Sequence, residues 1–161
     1  MTDIAGHIGG VLVPYGVVDN YGTIWDKGVF RDAVKSMRNG PFPMYFSHDL
    51  YGKIPIGIVT ALDDGDDALR YEADIFASEE GIDLLRAIRG GAVRHTSFSF
   101  NETDTYRKDG IMHFRKAALL EVSPVVFPGI NETTCEIIAT PDEESSEGGA
   151  VNDNGGAAAL L

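Results

Sequence analysis

Gly90-Gly91-Ala92-Val93-Arg94-His95-Thr96-Ser97-Phe98-Ser99-Phe100 decides how this chain is read. Two glycines close a helical pattern, and a strand pattern begins. From Arg94 to Asn101 the side chains alternate in direction. Arg94, Thr96, Phe98 and Phe100 share one face; His95, Ser97, Ser99 and Asn101 share the other. Phe98 and Phe100 can anchor the first face in a core. The second face is polar throughout, with an imidazole and two hydroxyls. Such a face is either a solvated strand surface or the wall of a catalytic cleft.

Upstream, Ser78-Glu79-Glu80 starts a helix, with a capping serine and two acids at the positive end of the helix dipole. It runs through Ile82, Leu84, Leu85 and Ile88 to Gly90. Before it, residues 55–62 and 68–75 read as two strands joined by the acidic turn Asp63-Asp64-Gly65-Asp66-Asp67. Those aspartates lack the ligand spacing of a calcium loop. Residues 44–49 form a short strand running into a loop, after the break at Pro41-Phe42-Pro43. Val29 to Arg38 is a helix closed by Asn39-Gly40. Residues 4–18 are a glycine-rich first strand, and 19–28 a turn and loop. Downstream, 103–110 is a polar hairpin loop, 111–127 holds one or two strands, and 131–139 a last short one. The strands come in hairpin-like pairs without regular helix alternation. This predicts a mainly β, α+β fold: a small antiparallel β-barrel flanked by helices.

The 161 residues, 43% of them hydrophobic, suffice for one domain with a core. We place it at 1–139. From Thr140 the chain turns acidic and glycine-rich without periodicity, so 140–161 reads as a disordered acidic tail. Twenty-five acids against 13 bases give a net charge of −12, which argues against nucleic acid and anionic membrane surfaces as partners. No signal peptide or transmembrane segment is evident. The single cysteine, Cys135, permits neither an internal disulfide nor a cysteine-based zinc site and reads as a structural thiol. No cofactor is expected.

Groups able to do chemistry fall in three segments: His48-Asp49, the strand with His95 and Ser97, and a later strand with His113 and Glu121. A serine nucleophile needs a base within hydrogen-bond reach and a third group to orient that base. A Gly-x-Ser-x-Gly elbow is absent, which excludes the usual α/β-hydrolase pattern. A metal site built from His48, Asp49, His95 and His113 would lack any recognised ligand spacing, so no metal is expected.

Ordered along residues 6–139 are Gly28-Val29-Phe30, His48-Asp49 with Pro55-Ile56-Gly57, Gly91-Ala92-Val93 leading to Thr96-Ser97-Phe98-Ser99-Phe100, and Leu120-Glu121-Val122-Ser123-Pro124-Val125 with Pro128. In this set the chain resembles the HK97-type prohead maturation proteases of tailed bacteriophages. The resemblance implies a fold like the herpesvirus assembly proteases. It implies a serine endopeptidase that cleaves scaffold and capsid protein segments, and itself, during procapsid maturation. The location implied is the host cytoplasm, inside the assembling procapsid. Major capsid protein and scaffold protein are the implied partners, and a homo-oligomer, dimer or larger, is the implied assembly. Carried over by position, Ser97 is the nucleophile and His48 the general base.

Ser99 departs from the family pattern, which has glycine there, and stands as an alternative nucleophile. Glu121 matches the family's acid as third member. The related viral proteases use a second histidine, which makes His113 the alternative; with Glu121 it shares parity on an unbroken strand. Without catalysis, Glu121 would be a buried acid paired with an arginine such as Arg94, His95 would line the cleft, and Asp49 would cap the turn after His48. The tail would be a self-cleavage region or scaffold linker. The alternative function is a non-catalytic capsid-assembly or scaffold-binding module of the same fold.

Overall fold

A computed structural model describes residues 3–141 of the chain. Most of the tail assigned above lies outside the described residues. In chain order the elements are β1 (Ile4–Pro14), β2 (Thr23–Trp25), α1 (Arg31–Ser36, prolonged by a 3-10 turn at Met37–Asn39), β3 (Phe42–Met44), β4 (Gly57–Asp64), β5 (Ala68–Phe76), α2 (Glu79–Arg89), β6 (His95–Lys108), β7 (Ile111–Val125) and β8 (Glu136–Ala139).

The eight strands form one sheet in the order β2-β7-β3-β4-β5-β1-β8, with β6 also paired to β7. The fold is therefore sheet-dominated α+β, as its alternation and hairpin spacing predict. Two points correct the expected antiparallel barrel. First, the sheet is mixed: β2 and β3 both run parallel to β7, while the other pairs are antiparallel. Second, no ladder joins β6 to β8, so the sheet is not closed. Residues 133–135 bridge that gap with separate hydrogen bonds. Cys135 N–H donates to Arg94 O at 2.9 Å, and the Thr96 hydroxyl donates to Thr134 O at 2.8 Å.

Expected elements shift at their ends. β3 starts at Phe42 and includes Pro43, so the predicted break is a strand. β2 lies within a predicted loop. The predicted 103–110 loop is instead the continuation of β6, with Asp109 and Gly110 at positive φ in the turn. β7 is a single 15-residue strand.

Core formation follows the alternation. On β1, β4 and β5, Ile8, Leu12, Val59, Leu69, Tyr71 and Ile75 are fully or almost fully buried. At the β6–β7 end the core is aromatic. Trp25 stacks on Phe114 with centroids 4.0 Å apart and meets Phe98 and Phe100 edge-on at 4.9 and 4.8 Å. Such pairs add about 0.5–1.5 kcal/mol each beyond burial. α2 covers the sheet with Leu84, Leu85 and Ile88; Ser78 caps it by accepting a hydrogen bond from Gly81 N–H. Gly57 lets β4 approach β5 closely: a Cβ there would stand 2.2 Å from Asp74 O.

Candidate active site

β6 and β7 build the site floor. Ser97 stands opposite Ser123, and Ser99 opposite Glu121. Directly opposed residues share a face, and so do residues two apart on one strand. The four side chains therefore form a single patch. The face predicted for Ser97 and Ser99 is observed: Thr96 and Phe98 are buried on the other side.

His48 comes to this patch from the loop after β3. Met44 pairs with Val122, and the chain then follows β7 through Tyr45 N–H to Val122 O (3.2 Å) and Ser47 N–H to Pro124 O (3.0 Å). Ser47 and His48 then turn back with φ of 54° and 58°. Left-handed backbone at residues other than glycine costs on the order of 1–3 kcal/mol each and persists only where the surroundings enforce it. Here His48 N–H donates to Ser123 Oγ at 3.1 Å, which holds the turn over the patch.

Glu121 is fully buried, and among the described residues its carboxylate bonds only with His48, Ser99 and Ser123. Oε1 is bonded to His48 Nδ1 and accepts from the Ser99 hydroxyl at 2.7 Å; Oε2 accepts from the Ser123 hydroxyl at 2.6 Å. A carboxylate only accepts, so Nδ1 carries the hydrogen, and in the neutral tautomer this selects, the lone pair is on Nε2. Ser99 Oγ also lies 3.3 Å from Nδ1. Its own proton is directed at Glu121, on the far side of the ring from Nε2. Ser97 is half-buried and takes no part in the carboxylate network. It lines, together with His48, a cavity of about 490 Å3.

The other candidates lie elsewhere. His113 Nδ1 is bonded to Asp26 at 2.8 Å, and its ring stacks on Tyr106. Eight residues of β7 separate it from Glu121, about 26 Å at the usual strand rise. Of the three register shifts in the β6–β7 ladder between them, two add a residue on β7 and cancel, so the shared face expected from parity survives and distance alone separates the two. His113 is thus not brought to His48. Arg94 is exposed, and among the described residues no arginine is a partner of Glu121. His95 Nδ1 bonds Thr133 O at 2.9 Å and borders a different, larger cavity of about 800 Å3, which contains none of His48, Ser97, Ser99 or Glu121. Asp49 is exposed; its backbone N–H donates to Phe46 O. Cys135 is buried just before β8, and burial pushes its thiol up to about 11, consistent with a structural role.

Ser123 is the member that residue reading passed over. It lies two residues from Glu121 on one strand, so strand alternation alone puts it on the acid's face. Among the described residues, no group of three or more His, Cys, Asp or Glu is arranged to hold a metal ion, and no helix is long and apolar enough to cross a membrane.

Residues 3–147 match the family model described as caudovirus prohead serine protease. The bacteriophage T4 capsid assembly protease, gp21, is similar in structure with a TM-score of 0.61 at 15% identity, over 80% of this chain and 90% of that one. The KSHV protease, solved with a hexapeptide phosphonate inhibitor, is similar with a TM-score of 0.50 at 11% identity, over 81% of this chain and 64% of that one. No curated protein sequence matches the chain.

Proposed function

We propose, for a chain that belongs to the caudovirus prohead serine protease family and so is a peptidase of capsid maturation, that Ser97 is the nucleophile, His48 the general base and Glu121 the group that orients the imidazole. The observation that carries this assignment is the bond from His48 Nδ1 to the buried Glu121 carboxylate, which leaves Nε2 as the basic nitrogen.

In the first half-reaction, Nε2 takes the Ser97 hydroxyl proton while Oγ bonds the scissile carbonyl carbon. The imidazolium that forms is stabilised by Glu121. It then gives the proton to the leaving amine as the C–N bond breaks, and an acyl-enzyme remains. Water hydrolyses that ester with His48 again acting as base. Ser99 and Ser123 are positioning residues in this scheme: their hydroxyls fix both oxygens of Glu121. Ser99 is the weaker nucleophile because its proton already goes to the carboxylate.

The substrates in this assignment are major capsid protein, scaffold protein and the chain itself, cut within a procapsid by a homo-oligomer. Co-expression with the major capsid protein tests it, with wild type against Ser97→Ala and both proteins read by intact mass. Loss of a capsid-protein segment in wild type only is expected. Equal masses in both would favour a non-catalytic assembly module. Cutting in both would return Ser99 as nucleophile.

A further inference from the structure

The cavity that His48 and Ser97 share is walled mainly by carbon. Trp25, Phe98, Phe100, Met112 and Phe114 line it, and Phe127 stands at its edge. Two large rings, Phe127 and Tyr21, are 91% and 82% exposed there. An exposed aromatic pair on the border of an apolar cavity has much surface to lose to water and little intramolecular contact to compensate.

Among the described residues, Asp19 is the only acidic one lining the cavity, and it is fully engaged. It accepts from Tyr21 and Thr23 backbone N–H at 3.0 and 2.9 Å, from the Thr23 hydroxyl at 2.6 Å and from Trp25 Nε1 at 3.0 Å. It therefore has little capacity to receive a basic side chain. Among the described residues no lysine or arginine lines the cavity, so an acidic side chain would find no counter-charge there. At about 490 Å3 the space exceeds what a methyl group fills and suits a bulky group.

We propose that this cavity is a specificity subsite, and that it takes a large apolar side chain (leucine, methionine or an aromatic residue) of the peptide at a fixed position within two residues of the bond cut by Ser97. The inference rests on the assignment of Ser97 and His48 given above. Phe127 acts as the outer wall that closes over the bound side chain, a specificity residue rather than a catalytic one.

Two measurements test this. In the first, wild type and Ser97→Ala are incubated with a pooled library of natural-sequence peptides, and new termini are identified by mass spectrometry. Ser97-dependent cuts should be enriched at least tenfold for large apolar residues at one fixed position near the cut. In Phe127→Ala that enrichment should fall at least fivefold. Ser97-dependent cuts without it, or with a preference for glutamate or lysine there, would overturn the subsite and leave the peptidase assignment standing. The absence of Ser97-dependent cuts would instead count against that assignment.

The second measurement reads the cavity without catalysis. Trp25 is the chain's single tryptophan and lies in the cavity wall, so its emission reports occupancy. Ser97→Ala protein is titrated with acetylated hexapeptides differing only at one central residue. Leucine and phenylalanine peptides should change Trp25 emission with at least tenfold lower Kd than glutamate or lysine peptides. Equal Kd values, or no change with any peptide, would overturn the subsite.

Discussion

His48 and His113 each turn Nδ1 to a carboxylate, Glu121 in one case and Asp26 in the other. The first contact is the same, and everything around it differs. Glu121 is fully buried, its remaining oxygen valences are filled by two serine hydroxyls, and its histidine sits on a left-handed turn beside a cavity with a third serine. Asp26 keeps 26% of its side-chain surface, and its other partner is the Tyr106 hydroxyl. Arg115 lies over the Tyr106 ring, 4.5 Å from its centroid. The His113 pair ties the hairpin end of β6–β7 to the segment after β2. A histidine–carboxylate pair is thus a general structural joint. In the assignment proposed above, it becomes catalytic through the serine placed toward the other imidazole nitrogen.

The comparison breaks most readily at Glu121. Glu121→Gln keeps the shape but removes the charge that fixes the tautomer and stabilises the imidazolium. We expect peptidase activity to fall by roughly 10²–10⁴-fold, with an unfolding curve checking that the variant remains folded. A fall below tenfold would make the two pairs equivalent. Ser99→Ala removes one of the carboxylate's hydroxyl donors and leaves Ser97 intact. Activity should drop by about tenfold or less, read as kcat/KM on one cleaved peptide. Complete loss would move the nucleophile to Ser99.

Asp26→Asn sharpens the contrast from the other side. Activity should stay within about threefold of wild type, because this pair touches no cleft residue assigned a role. Its effect belongs in stability, at about 1 kcal/mol or less for an accessible pair. Burial pushes the Asp26 carboxyl up, but the Tyr106 and His113 hydrogen bonds and the His113 and Arg115 charges hold it below its ordinary 3.8. A depressed carboxyl contributes stability above its unfolded value and loses that contribution as pH falls through its folded value. Denaturant midpoints of wild type should therefore fall more steeply below about pH 4 than those of Asp26→Asn. Least affected of all is Cys135, buried and shifted up to about 11. Thiol reagents at pH 8 should label it slowly in native protein and fully after denaturation.

Much of this was legible in sequence because β-alternation is a strong rule. The parity of residues 94–101 puts Ser97 and Ser99 on one face, and the Ser78 signal gives the start of α2. The same rule does not decide for His113: it shares a face with Glu121, but eight residues of strand, about 26 Å, keep it from His48. The rule also puts Ser123, two residues on, on the face of Glu121. The turn that delivers His48 carries no glycine or asparagine at its left-handed positions, so nothing local announces it. That conformation is imposed by β7 through Ser123 and Pro124, contacts more than seventy residues away in the chain. The parallel strands β2 and β3 have three residues each, too short for periodicity to register.

The most direct test of the central claim is covalent labelling with a peptidyl diaryl phosphonate, followed by digestion and mapping of the modified residue by mass spectrometry. The account predicts one adduct, on Ser97, formed by wild type and lost in His48→Gln. An adduct on Ser99, or a Ser97 adduct formed equally fast without His48, would contradict it.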